Sequence, residues 1–374
     1  MHTNVHWGHM TSPDLVHWTT QSIALTPRPG ELDATGCWSG CLVDEDGTPT
    51  LVYSAVAGST ADAEVVLAPA TDRSALRFTP ATRSVMGMPA DRGLTDVRDP
   101  YVFSVDGRRF AAQGAGGRGR IGSVLLYGCD DLTIWTELGT LVDGTHPALE
   151  PWADVALWEC PSLVPLGEPA LGESWLLVIS LLDAEEPQRD LRVISMIGEL
   201  VADGAGLRFE PTAAQHLDFG PAFYAPQAIR VDDRVLLWAW VWELGRTPEQ
   251  VTAANWQGVL THPREVTVVD GRVQVRPAAE LAALMTRRVE PGESLPAAFR
   301  ATAEAPLELT LDGVACWPAE LDIREVWVDG SLVEAYTADH SSYTTRAYPG
   351  PDSTWSASSA APVQVVALAL PGQA

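Results

Sequence analysis

Short apolar runs rich in Val, Leu, Trp and Tyr recur between clusters of Gly, Pro and Asp. Examples are Leu51-Val52-Tyr53-Ser54, Val124-Leu125-Leu126-Tyr127, Trp175-Leu176-Leu177-Val178-Ile179 and Val235-Leu236-Leu237-Trp238-Ala239-Trp240. Runs of this length bounded by turn formers predict β-strands. One segment, Pro277 to Met285, predicts a helix from its apolar spacing and a Pro near the first turn. Two alternating runs meeting at Asp329-Gly330 predict a hairpin. The chain therefore reads as all-β.

An internal repeat organises these strands. Ser12-Pro13-Asp14-Leu15-Val16-His17-Trp18 matches Cys129-Asp130-Asp131-Leu132-Thr133-Ile134-Trp135 with Asp, Leu and Trp in register, and Leu76-Arg77-Phe78-Thr79-Pro80 echoes Leu207-Arg208-Phe209-Glu210-Pro211. The terminating aromatics are separated by 60, 57 and 74 positions, slightly longer than the roughly 40 to 50 residues of common propeller blades. A β-propeller with decorated blades accounts for this spacing; an array of β-sandwiches would also give short strands. The turn-rich stretch Val289 to Pro296 predicts a boundary, dividing the chain into 1–288 and 289–374. The second part has the size of a small β-sandwich.

Composition narrows the partners. With 24 Lys and Arg against 49 Asp and Glu, the formal charge is −25 and no basic stripe exists, which argues against nucleic acid and anionic membrane. Five scattered cysteines do not make a disulfide framework. Cys37 and Cys41, roughly 13 Å apart on a strand, do not make a metal pair. His6-Trp7-Gly8-His9 reads as strand packing. Neither a metal nor a cofactor is expected. No run approaches a membrane span, and Met1 to Trp7 has no signal-peptide core, so the chain as written reads as cytoplasmic.

Two carboxylates stand out. Arg98-Asp99-Pro100 places an acid beside a cation that holds it ionised, in a backbone biased to be extended. Glu159 lies next to Trp158, with Trp152 and Pro161 nearby, an apolar wall that would keep a carboxyl protonated for donation. Paired carboxyl groups are the equipment of glycoside cleavage. Glu150 and Asp154 are rivals on spacing alone. Trp38, Ser39, Phe223, Tyr224 and Trp240 are candidates for the apolar platform and polar rim a sugar ring needs.

Taken in order, these runs resemble the glycoside hydrolase family 32 β-fructofuranosidases, the group of invertases, levanases and exo-inulinases. The resemblance rests on His6-Trp7-Gly8-His9, Gly36-Cys37-Trp38-Ser39-Gly40, Arg98-Asp99-Pro100, Glu159-Cys160-Pro161, Phe223-Tyr224-Ala225-Pro226-Gln227, Trp256-Gln257-Gly258-Val259-Leu260, Pro263-Arg264-Glu265, Val328 to Glu334 and Thr344-Thr345-Arg346. It implies a five-bladed β-propeller followed by a β-sandwich, and retaining hydrolysis of sucrose, fructo-oligosaccharides or fructans. Glu159 is then the acid/base and Asp99 the transition-state stabiliser, with Arg98, Trp38, Ser39, Tyr224 and Trp240 binding substrate. The family's opening Asn-Asp-Pro segment, whose Asp is the nucleophile, has no counterpart in these residues. An N-terminally shortened chain with an incomplete first blade and impaired turnover is therefore expected, the alternative being a non-catalytic fructoside-binding protein.

Overall fold

The computed structural model describes residues 4–89, 93–117, 119–183 and 192–370; Met1–Thr3, part of the segment read for a leader, lie outside them. The predicted strands form where the apolar runs stand: Leu51–Ser54 within Thr48–Val56, Val124–Tyr127 within Ser123–Gly128, Trp175–Ile179 within Ser174–Leu182 and Val235–Trp240 within Arg234–Val241. The chain is all-β, and among the described residues no helix is long and apolar enough to cross a membrane. It divides into two compact units, Met1–Thr11, Thr19–Gln215 and Gln227–Asp233 in one, and Ser12–Trp18, His216–Pro226 and Arg234–Ala374 in the other.

In the first unit Gly36–Glu45, Thr48–Val56 and Glu64–Pro69 form a three-stranded antiparallel sheet. Two up-and-down sets of four strands follow, from Leu94–Val105 to Thr136–Asp143 and from Leu157–Pro165 to Gly206–His216, joined where Leu157 pairs with Gly116. Their apolar faces stack in chain order. Val52, Val65 and Leu67 pack with Val97, Ala111 and Tyr127, while Phe110, Leu126 and Trp158 pack with Trp175, Ile194 and Phe209. Burying alternate residues of each strand on both sides is what its pattern of apolar residues encodes.

In the second unit Arg234–Val241, Arg264–Val269 and Arg272–Pro277 are consecutive in one sheet. A six-stranded sheet running from Met285–Val289 to Ser342–Arg346 and a three-stranded sheet around Leu307–Leu311 share one core, with Phe299, Val326, Val328 and Ala335 against Leu307, Leu309 and Trp355. The Asp329-Gly330 hairpin forms as predicted, Asp329 pairing with Leu332 and Gly330 at φ 56°.

The one helical reading changes, and a helix not expected appears. The Pro277–Met285 segment is only a 3-10 helix over Ala279–Leu284, with no side-chain cap at Ala278, and it passes straight into the strand Met285–Val289. The one α-helix among the described residues, Pro248–Ala254, is closed by a capping box in which Thr247 and Gln250 exchange hydrogen bonds, a signal legible in Thr247-Pro248-Glu249-Gln250.

Candidate functional site

Three strands of the first unit break register in the same way. Cys37 to Gly40, Arg98 to Tyr101 and Glu159 to Ser162 each spend three steps where the partner strand spends two. Each break is a β-bulge, which re-aims side chains that alternation would send to opposite faces. The breaks begin at 37, 98 and 159, so they recur every 61 residues, a stricter period than the terminating aromatics gave. Trp38 and Ser39, Asp99, and Cys160 occupy the bulges. Asp99 and Cys160 both have positive φ, 61° and 49°, an uncommon conformation for non-glycine residues that tends to mark functional positions.

The bulges gather the predicted residues around one guanidinium. Arg98 donates to Glu159 Oε1 from Nη2 at 2.6 Å and from Nε at 3.1 Å, and to Asp96 Oδ1 from Nη1 at 2.7 Å. Its Cζ lies 5.8 Å from the centroid of the Trp38 ring, a cation–π contact. Asp99 is fixed at both ends: its backbone N–H donates to Ser54 Oγ at 2.8 Å, and its Oδ2 accepts from the Cys160 N–H at 2.9 Å and the Cys160 thiol at 3.4 Å. Ser39 in turn hydrogen-bonds the Cys160 thiol. Arg98, Asp99 and Glu159 are all buried, at 5%, 4% and 8% exposure, so their charges act in a medium that screens little.

Electrostatics correct one expectation. Burial pushes the Asp99 carboxyl up to about 6, since desolvation and the nearby Glu159 outweigh Arg98 and the Cys160 hydrogen bonds. The adjacent cation does not hold it fully ionised. Burial opposes the Arg98 charge, but Glu159 and Asp99 more than offset this and raise its pKa. Burial first, then Asp99 and Glu159, drives the Cys160 thiol well above its ordinary value, so it serves as a neutral donor rather than a nucleophile.

The expected apolar wall is also placed differently. Trp158 points to the face opposite Glu159, into the core with Trp175 and Leu126, because neighbours on a regular strand face opposite ways. Glu150 lies exposed in the 3-10 helix Pro147–Trp152, and Asp154 pairs with Arg120 at 2.6 Å; neither joins the cluster. Sequence reasoning passed over Ser54, Cys160 and Asp96 as contributors. Asp96 had a signal, standing two residues before Arg98 and so on its face of the strand.

Tyr224 and Trp240 belong to the second unit, on Phe223–Val231 and Arg234–Val241. Tyr224 is buried, and Trp240, half-buried, lies against Gly258, where an added Cβ would fall 2.3 Å from its Nε1. Several matched motifs prove to be internal structure of that unit. Arg264 is fully buried, donating to Asp218 Oδ2 at 2.9 Å, Glu334 Oε1 at 2.6 Å and Thr344 Oγ1 at 2.6 Å, with Phe223 and Tyr336 rings over it. Asp14 closes its own turn, accepting from the Val16 N–H at 3.0 Å and the His17 N–H at 2.8 Å. No metal-ligand cluster occurs among the described residues.

Buried carboxyl groups around one guanidinium, on bulged strands of stacked antiparallel sheets, are equipment suited to a glycosidase. The model of the glycosyl hydrolases family 32 N-terminal domain matches residues 1–277, and the chain belongs to that family. A sucrose-6-phosphate hydrolase from Salmonella typhimurium is 33% identical over 323 residues, 83% of this chain and 64% of its own length. A raffinose invertase from Escherichia coli is 31% identical over 295 residues, 77% of this chain and 58% of its own. The chain thus spans less than two thirds of the length of these relatives. Among solved structures, a Bombyx mori β-fructofuranosidase matches with a TM-score of 0.76 at 21% identity, covering 97% of this chain and 84% of that one. A Lactobacillus gasseri sucrose-6-phosphate hydrolase matches at 0.78 with 19% identity, covering 98% and 85%. These likenesses establish a shared fold.

Proposed function

We propose that the protein hydrolyses terminal non-reducing β-D-fructofuranosides, sucrose or fructo-oligosaccharides, with retention of configuration. The observation that carries this reading is the Arg98 clamp, which holds Glu159 while two bulges fix Asp99 beside the same cation. Glu159 protonates the leaving glycosidic oxygen and later activates water. Asp99 accepts hydrogen bonds from fructosyl hydroxyls as charge develops at the anomeric carbon. Arg98 orients Glu159, and Trp38 and Ser39 line the fructosyl pocket; Tyr224 and Trp240 carry a binding role by motif alone. Three carboxyl groups around one guanidinium favour a neutral sugar ring at this point, and the relatives named for sucrose 6-phosphate and raffinose support a fructoside of sucrose type.

The architecture of this reading is a five-bladed β-propeller over 1–288, then a β-sandwich over 289–374. Support comes from the sheets met in chain order, of two, three, eight and five strands, the eight-stranded one resolving into two sets of four. The second reading is a fructoside-binding protein without turnover, since the same clamp around Arg98 would hold a fructosyl ring whether or not it is cleaved. Calorimetric titration of the chain with sucrose tests what both share: binding is expected, weakened at least tenfold by Asp99→Asn, and no heat of binding in the parent would overturn the site assignment.

A further inference from the structure

The second unit contains a cavity of about 290 Å³ remote in sequence from the bulged strands, at the small end of the range for ligand pockets. One wall is a face of the six-stranded sheet. Strand alternation sends Val326, Val328, Val333 and Ala335 into the core and leaves Arg300, Glu325, Trp327 and Tyr336 on the opposite face. The other wall is the segment from Arg276 through the 3-10 helix, which presents Pro277, Ala282 and Met285.

The polar groups are unbalanced toward donors. Glu325 Oε1 already accepts from Arg300 Nε at 2.7 Å and Trp327 Nε1 at 2.7 Å. Arg276 makes a 3.4 Å contact to Gln274 and has no carboxylate partner among the described residues. Tyr336 is 3% exposed, its ring is held under Arg264, and no hydrogen bond to its hydroxyl occurs among the described residues. Burial, with Arg276 nearby, lowers the pKa of His340, against the opposing pull of Asp339 and Glu325. Arg276 is therefore a surplus cation and Tyr336 an unanswered donor, facing apolar residues in a chain of net charge −25.

We infer that this cavity binds a small organic anion of the sugar-phosphate or sugar-acid class. Arg276 and Arg300 meet the anionic head, Tyr336 donates to it, and Pro277, Ala282 and Met285 contact the carbon skeleton. This assignment is independent of the fructosidase reading, since it shares no residue with it.

Isothermal titration of the full chain with fructose 6-phosphate, gluconate, inorganic phosphate and fructose tests it. At least one of the two organic anions is expected to bind at a single site, at least tenfold more weakly in Arg276→Gln and Arg300→Gln and severalfold more weakly in Tyr336→Phe, and equally well in Asp99→Asn. Which of the two binds tells phosphate from carboxylate recognition. Arg276 is exposed, so its variant is expected to keep the parent's melting temperature. Binding of neither organic anion, or binding indifferent to both arginine substitutions, would overturn the inference. Inorganic phosphate binding as tightly as the sugar phosphate would overturn the role given to the apolar wall.

Discussion

At Asp99 two opposing forces meet on one carboxyl group. Burial raises its pKa to about 6 although Arg98 stands beside it, so the group changes charge within the working range of most proteins. If the ionised form grips fructosyl hydroxyls, sucrose affinity should climb as pH rises from 5 to 7, and the climb should vanish in Asp99→Asn; a flat profile in the parent would remove Asp99 from binding. Linkage runs the other way for stability. A carboxyl group with folded pKa above its ordinary 3.8 binds more protons folded than unfolded, so its contribution declines as pH rises from about 4 to 6. Arg98, Asp99 and Glu159 were legible from residue type and neighbours. What holds them was not, because the Ser54 hydroxyl and the Cys160 N–H reach Asp99 across 45 and 61 positions, and no local pattern encodes such pairings.

Bulges do at the scale of the strand what single residues cannot. One extra residue at each of three matching places turns Trp38, Asp99 and Cys160 out of regular alternation. Strand positions were legible because their apolar runs are long, but the bulges were not, since an inserted residue leaves no mark in hydrophobic pattern alone. The Pro277–Met285 segment differs from its helical expectation for a related reason: nine residues with apolar spacing do not distinguish an α-helix from a shorter 3-10 helix. Close approach of strands imposes a further requirement. Gly114, paired with Arg98, would place an added Cβ 2.2 Å from the Trp158 carbonyl oxygen. Gly114→Ala should cost about 2–3 kcal/mol by forcing the strands apart, read as a lowered melting temperature together with weakened sucrose binding. An unchanged melting temperature would mean the strands stand farther apart.

Over the whole molecule, the ordered motifs carry the family resemblance in the sequence alone, yet they do not separate chemistry from construction. Arg264, Glu334 and Thr344 matched as well as Asp99 did, and they form a buried ionic lock of the second unit. Arg264→Met would leave Asp218 and Glu334 buried without their cation, a loss of about 3–5 kcal/mol, seen as earlier thermal unfolding. Burial works against the Glu334 charge, but Arg264 and His262 hold its pKa down to about 2. Its stabilisation is therefore present above the ordinary value of 4.5 and fades as pH falls toward 2. An Arg264→Met protein as heat-stable as the parent would contradict this account of the lock.

The measurement that bears most directly on the proposed hydrolase is fructose release from sucrose. The account predicts release by the parent chain and a drop of about 100-fold or more in Glu159→Gln, the usual scale of lost acid–base catalysis. No release under any condition, or equal release by parent and variant, would contradict it.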